Sequence, residues 1–454
     1  MLLRVLGLFA IIVPTLLVIA TYVARRAAEA AGLGDRAVRW VVGGTWSAVM
    51  LPFVIRFVAP SSEGSGYGVA QGTAMVGFGV GLMCLIALGF LVPVDLLSWL
   101  ASRWARRAEA KAATGAEPVT EQSPEEPTQS AVFPGLGSNP TRPESPAVGT
   151  VSEAEPVTEP GSASIPRRAF LRRSGIAASL AIGGTASTYG LTLGRHDYVL
   201  EEVPIPLLRL PRSLDGYTIA QISDVHIGAF VGDWELAQAE ALIRRARPDL
   251  VVMTGDLVDH DPRFIPRLGA FARRLAGLGV RDGVVAIPGN HDYYAGVDAI
   301  LDTLREAGVR VLRNEGLVVP DGERASAATR AEGFSLLGVD DVWAQRYGYG
   351  GGADLERTLS FARPDLAKVM LCHNPELFPE AAEHVDLMLS GHTHGGQVSF
   401  LVRPADWFLR HGYVMGHYHR GPAQLYVNRG FGTAGPPARI ATPPEISRIV
   451  LTSV

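Results

Sequence analysis

Cysteine is scarce in this chain: its 454 residues hold two, Cys84 in an apolar stretch and Cys372 beside His373. Two cysteines build neither a disulfide framework nor a thiolate zinc cluster, which excludes small stapled scaffolds and zinc-finger-like modules. They carry no information on redox compartment either. An excess of basic charge is also missing. Lys and Arg number 41 against 45 Asp and Glu, a formal net charge of −4. A dedicated nucleic-acid surface would show a basic face, so that class is disfavoured. The length exceeds one domain, and a positive mean hydropathy marks apolar sequence as the component in excess.

That excess lies in the first hundred residues. Leu2 to Val23 is almost continuously apolar and long enough to span the ~30 Å hydrocarbon core. Trp40 to Ala59 is a second candidate span, with Arg56 near its end able to snorkel. Val69 to Leu100 is a third, long enough to tilt. A cleaved secretory signal is disfavoured for the first run, because it is too long for an h-region and more spans follow. Arg25, Arg26, Arg36 and Arg39 lie between the first two spans, the loop 60–68 has no Lys or Arg, and Arg103, Arg106, Arg107 and Lys111 follow the third. The positive-inside tendency then places the N-terminus outside and the end of the third span in the cytoplasm. Residues 1–107 are therefore expected to form a transmembrane helical region.

From about Glu109 to Pro166 the composition turns to Pro, Glu, Ser, Thr and Ala, too poor in large apolar residues to fold, so 108–166 reads as a disordered acidic linker. Arg167, Arg168, Phe170 and Leu171 come next, ahead of a weakly apolar segment, Ser174 to Gly194. Their order resembles a twin-arginine export signal, implying the twin-arginine export machinery as a partner. A fourth span with ordinary flanking charge is the alternative for 167–194. Both give one topology, a multi-pass cell-membrane protein with everything after Gly194 outside the cytoplasm.

The remainder, about 196–454, suits one sizeable domain. Strand-like runs alternate with helical patterns at Asp233 to Ala246, Arg263 to Leu278, Val297 to Ala307 and Pro375 to Glu383. Such alternation predicts an α/β domain with a mostly parallel sheet. Gln397 to Phe400, Ala423 to Val427 and Ile446 to Leu451 are expected to be strands returning to it, and 320–332 an exposed loop.

Five strand-like runs end in polar clusters. Tyr217 to Ser223 leads into Asp224 and His226; Asp249 to Thr254 into Asp256 and Asp259; Gly283 to Pro288 into Asn290, His291 and Asp292; Lys368 to Cys372 into His373; and Val385 to Leu389 into His392 and His394. Loops at one edge of a sheet converge, so five such clusters amount to a metal site. Asp224, His226, Asp256, Asn290, His373, His392 and His394 supply seven oxygen and nitrogen donors, too many for one tetrahedral zinc. They suit two divalent ions sharing a carboxylate, with Mn, Fe, Zn or Co all compatible.

In this order, Asp-x-His, Gly-Asp-x-x-Asp, Gly-Asn-His-Asp, His and Gly-His-Thr-His resemble the calcineurin-like metallophosphoesterase superfamily. Tyr426 to Thr433, Arg439 and Pro443 to Ile446 look like its membrane-associated or exported branch. The resemblance runs from about Tyr217 to the C-terminus. It implies a two-sheet sandwich flanked by helices, and hydrolysis of a phosphate ester by a metal-bound hydroxide. By position it implies Asp224, His226 and His394 on one ion, Asn290, His373 and His392 on the other, and Asp256 bridging. His291 would be the catalytic imidazole near the leaving group, with Asp292 orienting it. Asp259 is assigned to packing behind the metals.

Two other function classes fit the sequence less well. A two-metal hydrolase of the His-x-His-x-Asp-His kind requires Asp-His after the pair, and here Gly395 and Gly396 follow. A non-catalytic membrane sensor or scaffold would be marked by lost ligands, and none is missing. His411, His417 and His419 read as polar surface, and Trp343, Tyr347 and Tyr349 as a solvent loop. Tyr293 and Tyr294 divide evenly between substrate rim and packing. A site at the outer membrane face favours phosphodiesters or lipid-linked envelope phosphate. The ligand set itself fixes neither the substrate nor the oligomeric state.

Overall fold

The computed structural model describes residues 2–58, 65–114, 166–319, 333–346, 348–399 and 402–454. The expected loop 320–332, Tyr347 and most of the expected linker, 115–165, lie outside them. Two compact units divide the chain, Met1–Leu91 with Ile176–Val454, and Val92–Gly175.

The N-terminal helices are α1 (Leu2–Ala30), α2 (Asp35–Val58), α3 (Ser65–Thr114) and α4 (Arg167–Thr192). The three expected spans fall on α1, α2 and α3. Among the described residues, one helical segment, Ala70–Lys111, is long and apolar enough to cross a membrane. Helix α3 continues to Thr114, so the expected start of the linker near Glu109 is corrected by about a turn. Its Ala-rich sequence there has high helix propensity, which outlasts the charge.

Among the described residues, twelve strands form two six-stranded sheets. The first has the order β1 (Val199–Leu207), β12 (Glu445–Ser453), β2 (Tyr217–Ile222), β3 (Leu250–Thr254), β4 (Val284–Ile287), β5 (Arg310–Val311). The second has the order β10 (Gly416–Arg420), β11 (Ala423–Val427), β9 (Leu387–Ser390), β8 (Ala367–Leu371), β7 (Phe334–Gly338), β6 (Glu315–Val319). Pairing is parallel except for β12 with β2, β10 with β11 and β6 with β7. Helices α5 (Asp233–Ala246), α6 (Ile265–Ala276), α7 (Asn290–Ala295) and α8 (Val297–Glu306) lie between strands of the first sheet. The sandwich implied by the family resemblance is therefore present. The expected strand at 397–400 is not: Val398 makes one isolated bridge to Ile440, and Phe400 falls outside the described residues.

Period-2 geometry divides each central strand between two cores. Leu250 and Val252 of β3 point into the layer between the sheets, with Ile219, Ile287, Phe334, Leu336, Val369 and Leu389. Val251 and Met253 point outward, beneath Leu236, Ile243, Phe271 and Ile300 of the helices. Strands covered on both faces read as continuous apolar runs, as these do. Phe334 is fully buried at the centre, edge-on to Tyr217 with ring centroids 5.3 Å apart. Phe334→Ala is expected to cost about 3–5 kcal/mol, the range for deleting a buried aromatic ring. The check is the thermal unfolding midpoint of the purified protein. An unchanged midpoint would mean that the inter-sheet layer closes over the gap.

Candidate metal centre

Parallel strands β2, β3 and β4 of one sheet and β8 and β9 of the other end on the same side of the sandwich, and there the polar loops meet. Backbone hydrogen bonds fix them in register: Asp224 N–H donates to Gly255 O (3.0 Å), His226 N–H to Asp256 O (3.0 Å) and Gly391 N–H to His373 O (3.0 Å). The two sheets are tied at this end by buried Gln221, whose Nε2 donates to Ser390 O and to Thr254 Oγ1, both at 3.0 Å.

Six of the seven expected donor residues are brought together in groups. Asp224, His226 and His394 form one group of possible donors, and Asp256, His373 and His392 another, each with its donor atoms within 4.8 Å of one another. Asp256 Oδ2 stands 3.2 Å from His373 Nε2 of its own group and 3.7 Å from His226 Nε2 of the other, and so links the two. His226 Nε2 faces His394 Nε2 at 3.0 Å, and His392 Nδ1 faces His373 Nε2 at 3.2 Å. Asn290 is buried with no hydrogen-bond partner for its Oδ1. Clustered imidazole nitrogens and carboxylates, with an orphaned amide oxygen on the residue that precedes His291, are a donor set that fits hard or borderline divalent cations. Cys372, although adjacent to His373, is turned away, its Sγ 3.2 Å from Asn374 O.

The local backbone is under strain. Asp224, His226, Asp256, His392 and His394 all have positive φ, between 48° and 71°. Left-handed geometry costs a non-glycine residue roughly 1–2 kcal/mol. Such strain persists where the surroundings over-determine it, commonly at functional sites. Crowding is equally severe: a Cβ on Gly391 would run into Ser223 and Asp224, and one on Gly289 into Asp256.

Electrostatics follow from the packing. Burial favours a neutral Asp256, but the charges of His373 and His291 and a hydrogen bond from His373 hold its carboxyl well below the usual range. Burial likewise lowers His373, yet the Asp256 charge pushes it up to about 10. Desolvation and the neighbouring His373 charge push His392, half-buried beside it, down to about 3. His291 is raised to about 9, the Asp256 charge and Asp259 hydrogen bond outweighing burial.

One expectation is corrected. The carboxylate beside His291 is Asp259, not Asp292. His291 Nδ1 lies 2.6 Å from Asp259 O and 3.3 Å from Asp259 Oδ1. Asp292 instead accepts the backbone N–H groups of Gly289, Leu257 and Val258 at 2.8, 2.9 and 3.1 Å. It sits at the third position of α7 and caps that helix, while also pinning the Asp256 loop.

Aromatic residues border the centre. Trp343 stands edge-on to His392 with ring centroids 4.4 Å apart, closer than a solvent loop would place it. Tyr294 lies 5.1 Å from the His291 ring and Tyr349 5.4 Å from Tyr294, whereas Tyr293 is buried on Asp340 and Arg313. His417 and His419 neighbour each other on exposed edge strand β10.

The C-terminal signature is a buttress behind Asp224. Phe431 and Gly432 donate their N–H groups to Ser223 O (2.8 Å) and Asp224 O (2.7 Å). That loop is held by Asn428 Oδ1, which accepts from Gly430 N–H at 2.7 Å, and by fully buried Arg439. Buried Glu445 accepts a hydrogen bond from Tyr426 Oη at 2.5 Å and forms an ion pair with Arg429, whose Nε is 2.6 Å away.

The sequence profile of calcineurin-like phosphoesterases matches residues 217–396. A transmembrane protein with a metallophosphoesterase domain from Danio rerio is 33% identical over 60% of this chain and 62% of its own length. An uncharacterized metallophosphoesterase of Aquifex aeolicus is 34% identical over 54% of this chain and 89% of its own. The uncharacterized metallophosphoesterase YkuE of Bacillus subtilis is 31% identical over 63% and 98%. The chain thus spans under two thirds of the zebrafish relative and nearly all of the Bacillus one. With this fold and donor set, the chain belongs to the calcineurin-like metallophosphoesterases. It is a metal-dependent hydrolase of phosphate esters, and the family implies divalent metal ions at the centre.

Proposed function

We propose a membrane-anchored phosphoesterase using two divalent ions, with its catalytic domain, about 196–454, outside the cytoplasm and acting on phosphodiesters or lipid-linked envelope phosphate. The observation that carries the reading is the pair of donor groups with Asp256 between them. Asp224, His226 and His394 are assigned to the first ion, Asn290, His373 and His392 to the second, and Asp256 to both. Bound divalent ions supply an activated water and charge neutralisation for the phosphoryl group. The chain's own part is to hold these donors rigid and to manage the leaving group. His291, with Nδ1 engaged by Asp259, keeps Nε2 free to give a proton to the departing oxygen. Asp292 acts through the backbone it caps. Trp343, Tyr294 and Tyr349 form the rim that the alcohol portion of the ester meets.

The membrane-borne substrate is favoured by location. Gln71, at the start of the apolar segment Ala70–Lys111, donates to Ala229 O, three residues beyond His226. The test is a metal-reconstituted panel of monoesters, diesters, nucleotides and extracted envelope lipids. Turnover should be greatest on a diester or lipid-borne phosphate; preference for soluble nucleotides or monoesters would overturn that substrate class.

The topology is directly testable. Reporter fusions should place Glu125 in the cytoplasm and residue 200 outside. A cytoplasmic report at residue 200 would reverse the orientation. Replacing Arg167 and Arg168 with Lys keeps the charge, so a charge-anchored span would insert nearly unchanged, whereas twin-arginine export should fail.

A further inference from the structure

The loops assigned to the first ion are gripped from the side of the N-terminal helices, at two independent places. The first is the turn after His226. There Gln71 of α3 donates to Ala229 O, Phe78 of α3 packs edge-on to Phe230 with ring centroids 6.3 Å apart, and Arg195 Nη2, just beyond α4, donates to Phe230 O at 2.8 Å. The second is the segment 438–440. Arg439 N–H donates to Gly190 O of α4 at 3.0 Å, and Ala186 and Leu191 of α4 share a buried cluster with Ala438 and Ile440. A side chain on Gly190 would begin 2.8 Å from Ile440 Cγ1 and 3.3 Å from Arg439 O.

From that anchorage the Arg439 side chain reaches the metal loops. Its guanidinium donates to Gly432 O (2.5 and 2.9 Å), Gly430 O (3.0 Å), Arg429 O (2.8 Å), Thr442 O (3.2 Å) and His394 O (3.4 Å). Gly432 in turn holds Asp224 O. One fully buried fork thus joins the Asp224 loop to the His394 loop, and its own backbone is fixed by α4. The helices are themselves close-packed. A Cβ on Gly183 would lie 2.8 Å from Met83 O, and Ser187 Oγ donates to Gly79 O at 2.8 Å. Between α4 and β1 there is one short turn, Gly194–His196, rather than a flexible tether.

We infer that α3 and α4 are a working part of the catalytic unit: they set the geometry of the Asp224–His226–His394 group, Arg439 is the positioning residue that transmits it, and α4 remains in the mature protein. Removing residues 174–194 after export would strip Gly190 O from Arg439 and the apolar cover from Ala438 and Ile440. The inference rests on the assignment of that group to one ion proposed above.

The experiment uses the full chain in detergent or lipid nanodiscs and titrates metal while counting bound ions. Gly190→Val should weaken one of the two ions by about 10–100-fold, the range for losing support behind a ligand, and leave the other nearly unchanged. Gly184→Val is the control, since its Cβ meets only Met83 Sδ at 3.9 Å, and it should bind both ions as the wild type does. Arg439→Ala should match or exceed the Gly190→Val loss. Arg439→Lys should not rescue it, because an ammonium cannot reproduce the fork. Intact-mass analysis of the membrane-extracted protein should retain residues 174–194. Wild-type binding in Gly190→Val, equal losses in Gly184→Val, or a fully active mature chain beginning after Gly194 would each overturn the inference. A wild-type protein holding fewer than two ions would instead overturn the metal assignment on which it stands.

Discussion

Asp256→Asn is expected to lower the occupancy of both metal ions and to reduce kcat by about 10³-fold, the equivalent of roughly 4 kcal/mol of lost transition-state stabilisation. The cause is its place between the donor groups, 3.2 Å from His373 and 3.7 Å from His226. Asn is nearly isosteric, and its carbonyl oxygen can still receive the His291 N–H that Asp256 Oδ1 accepts at 2.8 Å. The loop should therefore survive, and what is lost is the negative charge shared by two cations. Elemental analysis of the purified variant is the check. Two full equivalents of metal would show that Asp256 does not bridge. Loss of one ion alone would move it to a single-ion role.

His291→Ala should produce a loss that depends on the leaving group, with metal content near the wild-type level. A sugar or glycerol alkoxide leaves poorly and needs a proton, so an alkyl ester should be hydrolysed on the order of 10²–10⁴-fold more slowly. A nitrophenolate leaves unaided, and the corresponding ester should lose much less. Because Asp259 rather than Asp292 faces the ring, Asp259→Asn should give a weaker version of the same split, through a less firmly held imidazole. Equal losses on both esters would make His291 a phosphate-positioning group, and loss of metal would make it a ligand.

The candidate donors were legible in the sequence because metal chemistry favours particular residue types, and these sit in short runs directly after apolar strands. The partner of His291 was not. Asp292 adjoins His291 in the chain, but a third-position residue in a helix folds back to cap that helix, leaving His291 to a partner 32 residues earlier. Local sequence also hid the sheet edges. Strand β1 carries Pro204 and Pro206, which demote a run to an edge, and β10 reads Gly-His-Tyr-His-Arg, polar because one side of it is solvated. Alternation of strands and helices predicted a parallel sheet but not two of them. Central strands buried on both faces show no polar side that would reveal where one sheet ends and the next begins. The sandwich was accessible only through the family resemblance.

The crowding noted around Gly391 and Gly289 bears on traffic through the centre. The Asp224 side chain is walled by Gly391 and Gly430, and that of Asp256 by Gly289, all at distances that leave no room for even a methyl group. Neither carboxylate has space to swing aside, so the floor of the centre is closed. His291 and His392 are the least buried members of the constellation, under the rim of Tyr294 and Trp343. The side of the centre open to solvent is therefore the imidazole side, past Tyr294 and Trp343.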